Sequence, residues 1–186
     1  MSPQRTDALR NREAVLDAAL ELLAVDPGAS MQDIADASEL GRSTVYRHFP
    51  TRDELFAALQ GVAVEHARQE AEQVFESGEP FEATVRALSA TMLETGIRYR
   101  FMLSTEIAVS RELQVARRRP DSPIRTYFEE CQERGEIRDD LPVDWIMSSF
   151  QALSLVAMED HRDGRRTFED AIGCLAESLI GMLSPR

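Results

Sequence analysis

Apolar side chains recur along this chain at steps of three and four residues, the period of helices that turn one face inward. The pattern predicts a first helix from about Thr6 to Ala24, with Val15, Ala18, Ala19, Leu22 and Leu23 on one side. Asp26-Pro27-Gly28 stops it, and Ser30 can cap a short second helix carrying Met31, Ile34, Ala35 and Ala37. After a brief turn, a helix from about Arg42 to His48 directs Val45 and Phe49 inward. Thr51-Arg52-Asp53-Glu54 has the form of a capping box, with a side-chain oxygen at the cap and a carboxylate three residues on. It opens a long helix through Leu55, Phe56, Leu59, Val62 and His66, ending near Ser77-Gly78.

Pro80 begins the next helix, with Val85, Leu88, Met92 and Leu93 on one face, and Gly96 predicts a bend or break before a Tyr99–Arg119 segment. Ser122-Pro123 reads as a cap followed by a first-turn proline, opening a helix with Ile124, Tyr127, Phe128 and Cys131 that Gly135 closes. Pro142 starts a long apolar helix through Ile146, Met147, Phe150, Leu153 and Ala157. Thr167 caps the last, with Ala171, Ile172, Leu175, Leu179 and Met182 inward. All prolines fall between these segments, and no alternating run reads as a hairpin. The expected fold is all-α, with about nine helices.

Composition narrows the function classes. Of 186 residues, 43% are hydrophobic and 29% charged, a globular mix. No apolar run approaches the roughly 20 residues of a membrane span, and the N-terminal residues form no signal peptide. A cytoplasmic protein without a membrane partner is expected. Cys131 and Cys174 form no CxxC pair and are expected to be reduced thiols packed as small apolar groups. The three histidines show no metal spacing, and no GxSxG elbow, Walker loop or GxGxxG appears. His161-Arg162-Asp163 reads as a charged helix end. The expectation is a protein that is not an enzyme and needs neither metal nor cofactor.

The charge is unevenly placed. The net charge is -12, and every basic residue is an arginine. The first 52 residues carry 6 arginines against 8 acids, the remainder 15 against 25. Within this acidic chain, Gly41 to Arg52 holds Arg42, Arg47 and Arg52 and no acid. Such a window argues against coating nucleic acid nonspecifically and permits binding through one defined surface.

That window lies in two short helices joined by a tight turn, Met31 to Phe49, the form of a helix-turn-helix. Its second helix would expose Arg42, Ser43, Thr44, Tyr46, Arg47 and His48, types that contact phosphates and base edges. Such pairs also occur in proteins that never touch DNA, so spacing alone leaves both readings open. The resemblance is more specific. Ala18-Ala19 with Leu22-Leu23, Ile34-Ala35, Thr44-Val45-Tyr46-Arg47-His48-Phe49 and Arg52-Asp53-Glu54-Leu55 resemble the N-terminal domain of the TetR family of bacterial transcriptional regulators. Two positions depart from it. Ser38-Glu39 stands where many members have Ala-Gly, so the turn forms without glycine there, and Gly41 stands where a Ser or Thr cap is common.

The resemblance implies a DNA-binding domain over 1–52 and a helical ligand-binding and dimerisation domain over 53–186. By position it implies that Tyr46 and Arg52 clamp phosphates and that Thr44 touches phosphate or a thymine methyl. Arg42, Ser43, Arg47 and His48 become candidates for base edges, and Gln32 for a backbone or base contact. For His48 the alternative is packing beside Phe49; Arg10 and Arg12 read as a solvated helix face. It also implies a pocket, for which Met92, Met102, Glu106, Phe128, Met147 and Phe150 are candidates, with core packing the alternative for each. The last two helices carry apolar residues on more than one face, and Gly173, Ala176 and Gly181 offer little bulk, which fits a four-helix interface with a second copy. The implied protein is a homodimeric repressor of a palindromic double-stranded operator, released by an unidentified small-molecule effector. An adaptor with no small ligand and a helical enzyme or carrier are the alternatives.

Overall fold

A computed structural model of the chain describes residues 3–99 and 122–185. It contains α1 (Pro3–Val25), α2 (Met31–Ala37), α3 (Arg42–His48), α4 (Arg52–Glu76), α5 (Phe81–Arg98), α6 (Pro123–Glu133), α7 (Val143–Arg162) and α8 (Phe168–Leu183). There is no strand among the described residues. The fold is all-α as the periodicity predicts, with eight helices among the described residues where the sequence predicts about nine in the whole chain. The expected Tyr99–Arg119 segment, with Met102 and Glu106, lies outside the described residues apart from Tyr99 itself.

Local chemistry sets the ends of these helices. Asp26 Oδ1 accepts from the Gly28 amide at 2.9 Å in the loop that stops α1. Ser30 and Asp33 form a reciprocal capping box at the start of α2. Thr51 Oγ1 accepts from the Glu54 amide at 3.2 Å, and Thr167 Oγ1 from the Asp170 amide at 3.1 Å, opening α4 and α8. Ser122 occupies the cap position before Pro123, yet its hydroxyl makes no cap bond; its carbonyl accepts from the Thr126 amide at 3.1 Å. Gly135, at φ +70°, ends α6 as the Glu136 amide returns to the Cys131 carbonyl at 2.9 Å.

One expected boundary is corrected. Gly96 does not break the chain: α5 runs through it to Arg98. Its lack of a side chain serves packing instead, because a Cβ at Gly96 would lie 1.9 Å from Met158 Sδ in α7.

The described residues divide into two compact units, one of 3–63 with 98–99 and the other of 64–97 with 122–185. The first has a core of Val15, Ala19 and Leu23 from α1, Ile34 from α2, Val45 and Phe49 around α3, and Leu55, Phe56 and Leu59 from α4. The second buries Ala71 of α4, Val85, Leu88 and Leu93 of α5, Phe128 and Cys131 of α6, Ile146 and Phe150 of α7, and Leu175 and Leu179 of α8. Truncating one such leucine to alanine costs about 2–5 kcal/mol, so each core holds its helices firmly. No helix among the described residues is long and apolar enough to cross a membrane.

Two expectations about small residues change. Cys131 is fully buried, but Cys174 is exposed rather than packed. Ala176 is fully buried against its own core, whereas a Cβ at Gly173 or Gly181 would meet open space. Of Gly173, Ala176 and Gly181, only the two glycines therefore face outward.

Candidate nucleic-acid interface

The interface begins with how α2 is held. Ser30 N–H donates to Asp33 Oδ2 at 2.8 Å, Ser30 Oγ donates to the same oxygen at 2.7 Å, and the Asp33 amide returns to Ser30 Oγ at 3.2 Å. These bonds, the hydroxyl's first, hold the Asp33 carboxyl below its usual range. Ile34 and Ala35 anchor the inner face of α2 in the first core.

The turn to α3 is made without glycine at its left-handed position. Ser38 Oγ bonds the Ala35 carbonyl at 2.9 Å, and Glu39 then adopts φ +56°. A left-handed glutamate costs roughly 1–2 kcal/mol relative to an ordinary conformation, offset here because Leu40 packs on the core directly after it. Gly41 caps α3 with its carbonyl alone, which accepts from the Thr44 amide at 2.7 Å.

α3 buries Val45 completely and seats Phe49 at its end, which fixes the helix's rotation. Arg42, Ser43 and Arg47 then face solvent, and Thr44 and Tyr46 are half-buried at the flank. The Arg42 guanidinium lies 5.3 Å from the Tyr46 ring centroid, drawing these two side chains into one surface. From Gly41 to Arg52 no carboxylate opposes the arginines. Of the α2 acids, Asp33 is held by Ser30, and Asp36 Oδ1 accepts from Gln32 Nε2 at 2.8 Å.

The remaining candidates sit differently. Gln32 is tied along α2 by that bond to Asp36. His48 is half-buried, with Nε2 enclosed and without a hydrogen-bond partner. Arg52 turns its guanidinium inward: Nη1 donates to the Ala29 carbonyl, Nη2 donates to the Pro27 carbonyl at 3.0 Å, and its plane lies 4.7 Å from the Phe56 ring centroid. Arg12, read from sequence as part of a solvated helix face, is exposed, and its guanidinium also lies 5.2 Å from the Phe49 ring centroid, joining α1 to the end of α3. Nothing in the local period of either helix signals that contact.

The candidates for a pocket divide as well. Phe128 and Phe150 are buried in the second core, and Met92 and Met147 pack against it, which brings these four into one cluster. Outside this cluster, Trp145 stands 61% exposed on α7. The same unit holds a polar group that helical periodicity did not reveal: half-buried Glu70 accepts from Thr95 Oγ1 at 2.6 Å and lies 3.4 Å from His66 Nδ1.

Residues 15–59 match the model of the bacterial regulatory proteins of the tetR family. The chain is 31% identical over 166 residues to the HTH-type transcriptional repressor LfrR of Mycolicibacterium smegmatis, covering 88% of this chain and 86% of the repressor. The crystal structure of LfrR from Mycobacterium smegmatis in complex with proflavine superposes with a TM-score of 0.71 at 28% identity, over 93% of this chain and 96% of that one. A TetR-family regulator from Rhodococcus sp. shares the fold with a TM-score of 0.77 at 20% identity, over 94% and 98% of the two chains.

Proposed function

Because the chain belongs to the tetR family of bacterial regulatory proteins, which are transcriptional regulators rather than enzymes, we propose that it is a repressor that grips a two-fold symmetric operator as a homodimer and lets go when a small molecule enters its C-terminal helical unit. The observation that carries the DNA-binding part is the outward surface of α3, where Arg42, Ser43 and Arg47 are exposed beside Tyr46 without an intervening acid. Arginines on such a surface bond guanine edges and phosphates, while the acidic remainder of the chain keeps binding confined to it.

The homodimer is supported by α7 and α8. Trp145, Ser148, Ala152 and Val156 recur at helical spacing on the outer side of α7 and are all exposed, and Gly173 and Gly181 leave room on α8. Two copies meeting there would space their α3 helices to match successive major-groove faces, about 34–36 Å apart. Release by a ligand is supported by the proflavine complex of LfrR. A molecule that binds better to a conformation with another spacing shifts the population away from DNA. α4, whose residues belong to both units, is the covalent route for that change. Such a regulator works in the cytoplasm, on chromosomal DNA.

Selection of bound sequences from random duplex DNA by the purified protein tests this reading. A repressor of this kind enriches a dyad-symmetric site, and proflavine is the first probe for its release. An adaptor without a ligand would enrich such a site and hold it at every concentration of the small molecules tried. An enzyme or carrier with an incidental helix-turn-helix would enrich none.

A further inference from the structure

The position of Arg52 suggests a phosphate clamp, but its guanidinium is already committed. Two of its five N–H donors are bonded to carbonyls of the α1–α2 loop, Nη1 to Ala29 and Nη2 to Pro27. One of its faces lies against Phe56, itself buried a turn further along α4. Ala29 immediately precedes Ser30, the cap of α2. The guanidinium therefore joins the first turn of α4 to the residue from which α2 departs.

We propose that Arg52 is a positioning residue: it ties the start of α4 to the α1–α2 loop, and so sets the placement of the helix-turn-helix without contacting the operator. The planar fork is required for this. It reaches two carbonyls at once while stacking on a ring, which a lysine ammonium, a point charge on a flexible stem, cannot do. A shift of the first turn of α4 then carries the α1–α2 loop with it, and α2 follows. The consequence for DNA rests on the repressor reading; the tie itself does not.

The two parts are separable with Arg52→Lys, which keeps the charge, and Arg52→Ala. In the free protein, amide hydrogen exchange at Ile34 and Ala35 of α2 should quicken in both variants, while exchange in the middle of α1 stays as in wild type. Unchanged exchange at α2 overturns the tie. On the selected duplex, both variants should bind on the order of tenfold more weakly, the size of one lost charge-assisted hydrogen bond, with the salt dependence of wild type. If Arg52→Lys binds like wild type while Arg52→Ala flattens the salt slope by about one contact per subunit, Arg52 is a phosphate contact and the proposal fails. If α2 exchange quickens in both variants but wild type selects no DNA, the tie stands and the repressor reading falls.

Discussion

Met158 Sδ fills the space beside Gly96 where a side chain would begin, so that a Cβ there would meet the sulfur at 1.9 Å. Alanine at this helical position gains about 1 kcal/mol of helix propensity, yet overpacking typically costs about 1–3 kcal/mol. Gly96→Ala is expected to destabilise the protein by about 1 kcal/mol net, with Met158 swinging aside to limit the damage. In a Met158→Ala background the same substitution should stabilise by up to about 1 kcal/mol, because only the propensity gain remains. Denaturant unfolding of the four proteins at equal concentration checks this reversal of sign. An equal effect in both backgrounds would show that the sulfur does not exclude a side chain.

The turn between α2 and α3 offers a stabilising substitution. Glu39 sits at φ +56°, a conformation that glycine adopts without the clash of a Cβ. Glu39→Gly should raise stability by on the order of 1 kcal/mol and leave the DNA sequence preference unchanged. Removing an acid beside the α3 surface should also strengthen binding slightly at low salt. Thermal melts and binding isotherms at two salt concentrations separate these effects; a less stable Glu39→Gly protein would contradict the strain in the turn.

Cys131 and Tyr127 link stability to alkaline pH. Burial first of all pushes the Cys131 thiol up to about 11 and the Tyr127 phenol up to about 12. The folded chain thus holds both protons to higher pH than the unfolded chain does. Their contribution to stability is complete below the ordinary thiol and phenol values and is lost as pH rises through 11 and 12. A thiol reagent at pH 8 should accordingly modify exposed Cys174 and spare Cys131 until the protein unfolds. Mass spectrometry of the modified peptides reads this directly, and equal labelling of both thiols would refute it.

Assembly is tested on α7. Val156 is 55% exposed on the outer side of the helix, one turn beyond Ala152 and about three turns beyond Trp145. Val156→Arg should leave each subunit folded and shift the protein to monomers in equilibrium sedimentation, since a charge buried unpaired at an interface costs several kcal/mol. A Val156→Arg protein that sediments with wild type, as a dimer, moves the interface elsewhere.

The sequence is most legible where neighbours along the chain decide the outcome. The bounds of α3 follow from Val45, Phe49 and the proline after them, and the cap of α2 from Ser30. The need to turn at Glu39 without glycine is equally local. Contacts between distant segments are another matter. Gly96 looks like a helix breaker until Met158 is placed against it, and nothing along the chain signals that Phe49 lies beneath exposed Arg12. Ala176 and Gly173 are both small, but only the packed helix reveals that one faces the core and the other faces out. At the site, residue type marked out Arg42, Ser43 and Arg47, whereas which arginines are free to meet DNA depends on the carbonyls of Pro27 and Ala29.

Arg47 tests the central claim most directly, because it is exposed on α3. The measurement is the equilibrium affinity of wild type and Arg47→Ala for the selected duplex and for a set with each half-site position exchanged in turn. Sequence reading by α3 predicts that Arg47→Ala loses about 1–3 kcal/mol on the selected duplex and becomes indifferent at one position of each half-site, keeping its preferences elsewhere. An Arg47→Ala protein with the affinity and full base preference of wild type would contradict it.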